Sequence, residues 1–189
     1  QSHFSESALP RIKKYVGDTS QLKHIFEQNS EKLFHKTRIL NDLCVAADTP
    51  ILYNHDVDVV VLKNSHKLAY RAITKEGSDA VYPFGCGIYQ WAVTYSDILL
   101  DKFLSSHDGT DADYEVLKDA KVRIPSSIGW GQMITKSCEI SAGLWNEEFL
   151  SWGAEDCEFY YRLNLFGFKV GRVIDDIYHF EHGRTFNSH

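Results

Sequence analysis

Four groups of residues in this chain are of types that can do chemistry. Asp56-Val57-Asp58 sits in the apolar, β-branched run from Thr49 to Val61. If that run is extended, alternation places both carboxylates on one side with Val57 opposite. Two such oxygens at a strand end suit a divalent cation, and a cation can hold a diphosphate; a solvated acidic turn is the plainer reading. Trp152-Gly153-Ala154-Glu155-Asp156 brings two carboxylates to the first turn of a helix. There they complement the helix dipole, or one faces a cleft as a general base beside a tryptophan that can stack on a sugar ring. His179-Phe180-Glu181-His182 offers imidazoles and a carboxylate, a mixed set suited to Mn. In a strand His179 and Glu181 share a face; in a tight turn His179 and His182 converge on one ion. With nine histidines in the chain, chance proximity competes with that reading. In Phe34-His35-Lys36-Thr37-Arg38, Lys36 and Arg38 can meet a diphosphate, or stand as solvated cations on an amphipathic helix.

These groups need elements to carry them. Leu9, Ile12 and Val16 predict a short helix from Ser5 to Val16, and Gln21–Glu27 reads as a short strand. From Glu31 to Ala47 apolar residues recur at three and four positions, the spacing of a helix. The strand carrying the aspartates follows Asp48-Thr49-Pro50. Strand, helix, strand in this order predicts a parallel crossover in an α/β sheet, with ligands beyond the carboxyl ends of the strands. Further helices are expected at 65–75, 95–104 and 155–166, and a helical turn at 137–142. Extended segments are expected at 80–89, 128–135, 169–173 and 177–182, and 105–113 is the most polar loop. Gly129 and Gly131 flank Trp130, so a backbone can approach a ligand there while an aromatic face is presented to it.

At 189 residues the chain reads as one domain with a sizeable core. Hydrophobic residues are 43% and charged residues 24%, the balance of a globular protein, and no run approaches the length of a membrane span. A net charge of −6 argues against nucleic-acid binding, so an anionic substrate would need a local cation. Cys44, Cys86, Cys138 and Cys157 form no close pair and read as buried free thiols of a reducing compartment.

Taken in order, the four groups resemble one family, the GT-A-fold glycosyltransferases of the β-1,4-galactosyltransferase group and the related bacterial capsule enzymes. Phe34-His35-Lys36-Thr37-Arg38-Ile39-Leu40-Asn41 is similar to the family's F-N-R-A-K-L-L-N helix, and Asp56-Val57-Asp58 matches its D-V-D. Trp152-Gly153-Ala154-Glu155-Asp156 is similar to W-G-G-E-D, and His179-Phe180-Glu181-His182 to M-x-x-H with His179 at the Met position. The resemblance implies a three-layer α/β/α fold with a central mixed, mostly parallel sheet. It implies an inverting transfer of a galactose- or N-acetylgalactosamine-type sugar from a UDP-sugar to a saccharide hydroxyl. Asp58, His179 and His182 would hold Mn²⁺, and Asp156 would act as the base, with Glu155 orienting the acceptor. Phe34, Lys36, Arg38 and Asp56 would contact the nucleotide, with Trp130 and Trp152 flooring the sugar sites.

Departures from the family pattern stand beside these matches. His replaces Met as a ligand, Ala154 replaces a glycine, residues 91–127 have no clear counterpart, and the family's first nucleotide-binding strand is not recognisable before Phe4. A sugar-nucleotide-binding protein without transfer activity is the alternative; a nucleotidyltransferase ranks below it for want of a Gly- and Lys/Arg-rich triphosphate loop. The thiol pattern, with no signal peptide in view, predicts a cytoplasmic enzyme, with peripheral association at the inner membrane face as an option, or a Golgi-luminal one had an upstream anchor been removed.

Overall fold

The structure is a computed structural model. It describes residues 4–182 apart from 17, 19, 21, 24, 26–32, 108–110, 124–126 and 151–152. The strand expected over Gln21–Glu27, Trp152 and the tail from 183 therefore lie wholly or mostly outside the described residues. Two compact units are distinguished, Gln1–Lys32 with Ser96–Val116, and Leu33–Tyr95 with Leu117–His189.

In chain order the helices are α1 (Leu9–Val16), α2 (Lys36–Ala46), α3 (Lys63–Glu76), α4 (Asp97–Ser105), α5 (Lys136–Ser141) and α6 (Glu155–Leu165). The strands are β1 (Ile51–His55), β2 (Val59–Val61), β3 (Ala80–Tyr82), β4 (Gln90–Thr94), β5 (Lys121–Arg123), β6 (Gly131–Thr135), β7 (Val170–Arg172) and β8 (Ile177–Glu181). The first unit contains α1 and α4. In it Ser96 caps α4 by accepting the Leu99 N–H at 3.1 Å, and Phe103 packs against Tyr114 with ring centroids 5.7 Å apart.

Among the described residues the second unit contains every strand, arranged as two four-stranded sheets of order β1-β6-β3-β7 and β2-β8-β4-β5. Strand alternation sorts the first sheet's side chains onto two helical layers. Leu52, Ala80 and Ile134 face one way and pack with Cys44 of α2 and with Phe159 and Leu163 of α6. Ile51, Tyr53, Val81 and Met133 face the other way, onto Ala69 and Ile73 of α3. The result is the expected mixed α/β architecture with helices on both faces. Its pairings are less parallel than expected: among the described strands only β3–β7 and β4–β8 run parallel. In the first sheet β6 enters between β1 and β3 and runs opposite to both, and in the second β2 and β5 run opposite to their partners β8 and β4.

The expected single strand through both aspartates is two strands. β1 pairs with β6 in the first sheet and β2 with β8 in the second, and the chain turns between them at Asp56, whose carbonyl accepts the Val59 N–H at 3.3 Å. Val57 at the tip is fully exposed (102 %). Since the chain is not extended there, Asp56 and Asp58 are not companions on one face. The helix expected from Glu31 begins at Lys36, and its buried polar residue Asn41 clasps Trp145, accepting its N–H at 2.8 Å and donating to its carbonyl at 3.0 Å. All four cysteines are free, but only Cys44 and Cys138 are buried; Cys86 and Cys157 are exposed, which corrects the expectation of four buried thiols.

Candidate active site and cation site

The turn between β1 and β2 sends its two carboxylates to different neighbours. Antiparallel register sets Val59 opposite His179, and one step beyond it the Phe180 N–H donates to the Asp58 carbonyl at 2.8 Å. That pairing carries the Asp58 carboxylate to the end of β8. Its Oδ2 lies 2.9 Å from His182 Nε2 and 3.5 Å from His179 Nε2. One ligand atom from each of the three residues lies within 4.8 Å of the others. Burial raises the Asp58 carboxyl, but hydrogen bonding and charge from His179 outweigh it and hold the group below its ordinary range. Reciprocally, the Asp58 hydrogen bond raises the His179 imidazole. One carboxylate oxygen and two imidazole nitrogens this close could hold a first-row divalent cation, borderline Zn²⁺ through the nitrogens or harder Mn²⁺ with the oxygen as anchor.

Asp56 faces a second cluster. Lys36, at the start of α2, places its Nζ 3.0 Å from Glu155 Oε1, 3.5 Å from Asp156 Oδ2 and 3.6 Å from Asp56 Oδ1. Burial opposes the Lys36 charge, but Asp156, Asp56 and Glu155 together raise its pKa. Glu155 is buried (2 %) and uses both oxygens, the second accepting the Gly153 N–H at 2.9 Å. Three carboxylates share one ammonium, so one must ionise less readily. Burial, with the neighbouring Glu155 and Asp56 charges, pushes the Asp156 carboxyl up to about 6 against the pull of Lys36.

Backbone features fit the side chains into this space. A Cβ at Gly129 would overlap the Asp156 carboxylate, so the glycine admits that side chain, where sequence alone suggested an approach to ligand. Gly131 similarly leaves room for Tyr53 and His55. Ala154 precedes α6 with φ of 67°, the left-handed conformation that a glycine takes without strain. Lys36, Asp56 and Asp156 line one cleft together with Asn54, His55, Tyr82, Trp130, Gln132 and Trp145. Gln132 donates to the Tyr82 hydroxyl at 2.9 Å, and among the described residues its buried Oε1 has no partner.

Of the residues singled out in the sequence, the structure brings Asp58, His179 and His182 together, and Lys36, Asp56, Glu155 and Asp156 together. Trp130 connects the two groups. Its carbonyl accepts the Asp56 N–H at 3.0 Å, and its ring stacks on His179 with centroids 5.3 Å apart at 16°. Phe34 is exposed (47 %), Arg38 is half-buried, and neither lines the cleft. Sequence reasoning missed Gln132, Tyr82, Asn54 and His55. They belong to strands β1, β3 and β6 or the residues beside them, whose register decides which side chains meet, and no short motif marks them.

The fold that carries this triad and cleft is a mixed α/β arrangement with helices on both faces of its first sheet. The structure is similar to the crystal structure of the catalytic domain of Drosophila β1,4-galactosyltransferase 7 in complex with xylobiose, with a TM-score of 0.55 and 15% identity over 100% of this chain and 74% of that one. At that identity the likeness is one of fold. No family model matches the sequence, and no curated protein matches it.

Proposed function

We propose that this protein is a metal-dependent inverting glycosyltransferase that moves a galactose- or N-acetylgalactosamine-type sugar from a UDP-sugar to a saccharide hydroxyl. The observation that carries the reading is the division of labour at the Asp56–Asp58 turn. Asp58 belongs to a triad of cation-ligand type, and Asp56 belongs to the cluster that lifts Asp156 toward neutrality. The galactosyltransferase-like fold supports the same reading.

In this mechanism Asp58, His179 and His182 would hold Mn²⁺, which when bound supplies positive charge to a diphosphate leaving group. Asp156 takes the proton of the acceptor hydroxyl through its carboxylate as that oxygen attacks the anomeric carbon from the face opposite the diphosphate. The new glycosidic bond forms as the bond to the diphosphate breaks, and the configuration inverts. A carboxylate with pKa near 6 is a stronger base than an ordinary aspartate and is still ionised at neutral pH. Lys36 keeps Asp156 from rising further and holds Glu155 and Asp156 in one geometry across the mouth of α6. Trp130 contributes an apolar wall to the cleft, and Asp56 would contact the nucleotide.

The test is turnover of UDP-galactose and UDP-N-acetylgalactosamine with saccharide acceptors, with and without Mn²⁺. Asp156→Asn should lower kcat by at least about 100-fold, the scale of a lost general base. Asp58→Ala should remove the dependence on Mn²⁺ along with most activity. Full activity in both variants would sink the assignment, and UDP binding without turnover in the parent would favour a binding protein instead.

A further inference from the structure

The His179 ring is held from three sides. Its Nε2 points at Asp58 Oδ2, 3.5 Å away, and its Nδ1 lies 3.1 Å from Glu181 Oε1. Its face lies on Trp130, 5.3 Å between centroids and 16° from parallel. Alternation along β8 explains the second contact, since residues two apart share a face of a strand. The third contact is made by a residue at φ 85°, a conformation that non-glycine residues adopt only where the surroundings impose it. Here the Asp56 N–H, bonded to the Trp130 carbonyl, is part of what imposes it. When a cation replaces the Nε2 proton beside Asp58, the carboxylate facing Nδ1 holds the remaining proton on that nitrogen and leaves the Nε2 lone pair to the ion.

We propose that Glu181 is a positioning residue for the cation site, locking His179 in the tautomer and orientation that present Nε2. This rests on the reading of Asp58, His179 and His182 as ligands. The Glu181 side chain is more than half exposed (53 %), so its removal leaves no buried cavity or unpaired core charge.

The experiment is a titration of the whole chain with Mn²⁺, following the paramagnetic resonance signal of the free aquo ion, at a pH where both imidazoles are neutral. Glu181→Ala should weaken Mn²⁺ binding by about 10- to 100-fold, the usual effect of removing a carboxylate behind a ligating histidine. Glu181→Gln, whose amide oxygen can still accept the Nδ1 proton, should recover most of that loss. Metal-free melting of both variants should match the parent. Equal Mn²⁺ affinity in parent and Glu181→Ala would overturn the positioning role while leaving the triad intact. Failure of the parent to bind Mn²⁺ would overturn the triad reading itself.

Discussion

Asp156 and Lys36 are the residues on which the proposed chemistry turns, and their charges are interdependent. The folded protein raises the Asp156 carboxyl from the ordinary 3.8 to about 6, so its stabilising contribution belongs to the protonated form and is lost as pH rises through about 6. Activity has the opposite sign, because only the carboxylate can accept a proton. Turnover should therefore climb through pH of about 6 to a plateau, while Asp156→Asn, inactive at every pH, should melt no lower than the parent above that point. A pH–rate profile and calorimetry on both proteins check this, and a flat profile across that range would contradict it. Lys36→Met leaves a buried Glu155 and its neighbours without their cation. It should cost about 3 kcal/mol in urea denaturation, as for one partner removed from a buried ion pair, and push the acid limb of the parent's rate profile to higher pH.

Two connections do most of the positioning. The turn between β1 and β2 moves the chain from one sheet to the other, so neighbouring aspartates reach different sites. The entry to α6 is the second. Gly153 at φ 121° and Ala154 at φ 67° swing the chain so that Glu155 folds back on the Gly153 N–H and Asp156 enters the space left by Gly129. Ala154 is exposed and takes a conformation that disfavours a Cβ, so Ala154→Gly should stabilise the protein by about 1 kcal/mol. A urea midpoint that falls instead would mean that Ala154 is not held in the left-handed region.

For the molecule as a whole, the proposed cation site ties residues more than a hundred positions apart, since Asp58 meets the end of β8 only in the folded chain. Binding to the folded state alone stabilises it by mass action, about 2.7 kcal/mol when the free ion is 100 times its dissociation constant. Mn²⁺ should thus raise the melting temperature of the parent in proportion to the logarithm of its concentration, and leave Asp58→Ala unmoved. A parent melting temperature indifferent to Mn²⁺ would count against the site.

Residue types and local periodicity sufficed for much of this. Apolar spacing located the helices from Ser65, Tyr95 and Glu155, and residue type marked Asp58, His179, His182 and Asp156 as candidates that the fold brings into two clusters. Local pattern could not see the break after His55, because Val57 and Val59 keep the look of a continuing strand while pairing decides otherwise. Nor could it find Gln132 and Tyr82 in the cleft, or show that Gly129 makes room for Asp156 rather than for a ligand. Those depend on β6 lying between β1 and β3 and on β8 pairing with β2, contacts between segments 50 to 120 residues apart that no local propensity encodes. The sequence carried the reactive groups, and the register of two sheets decided which of them meet.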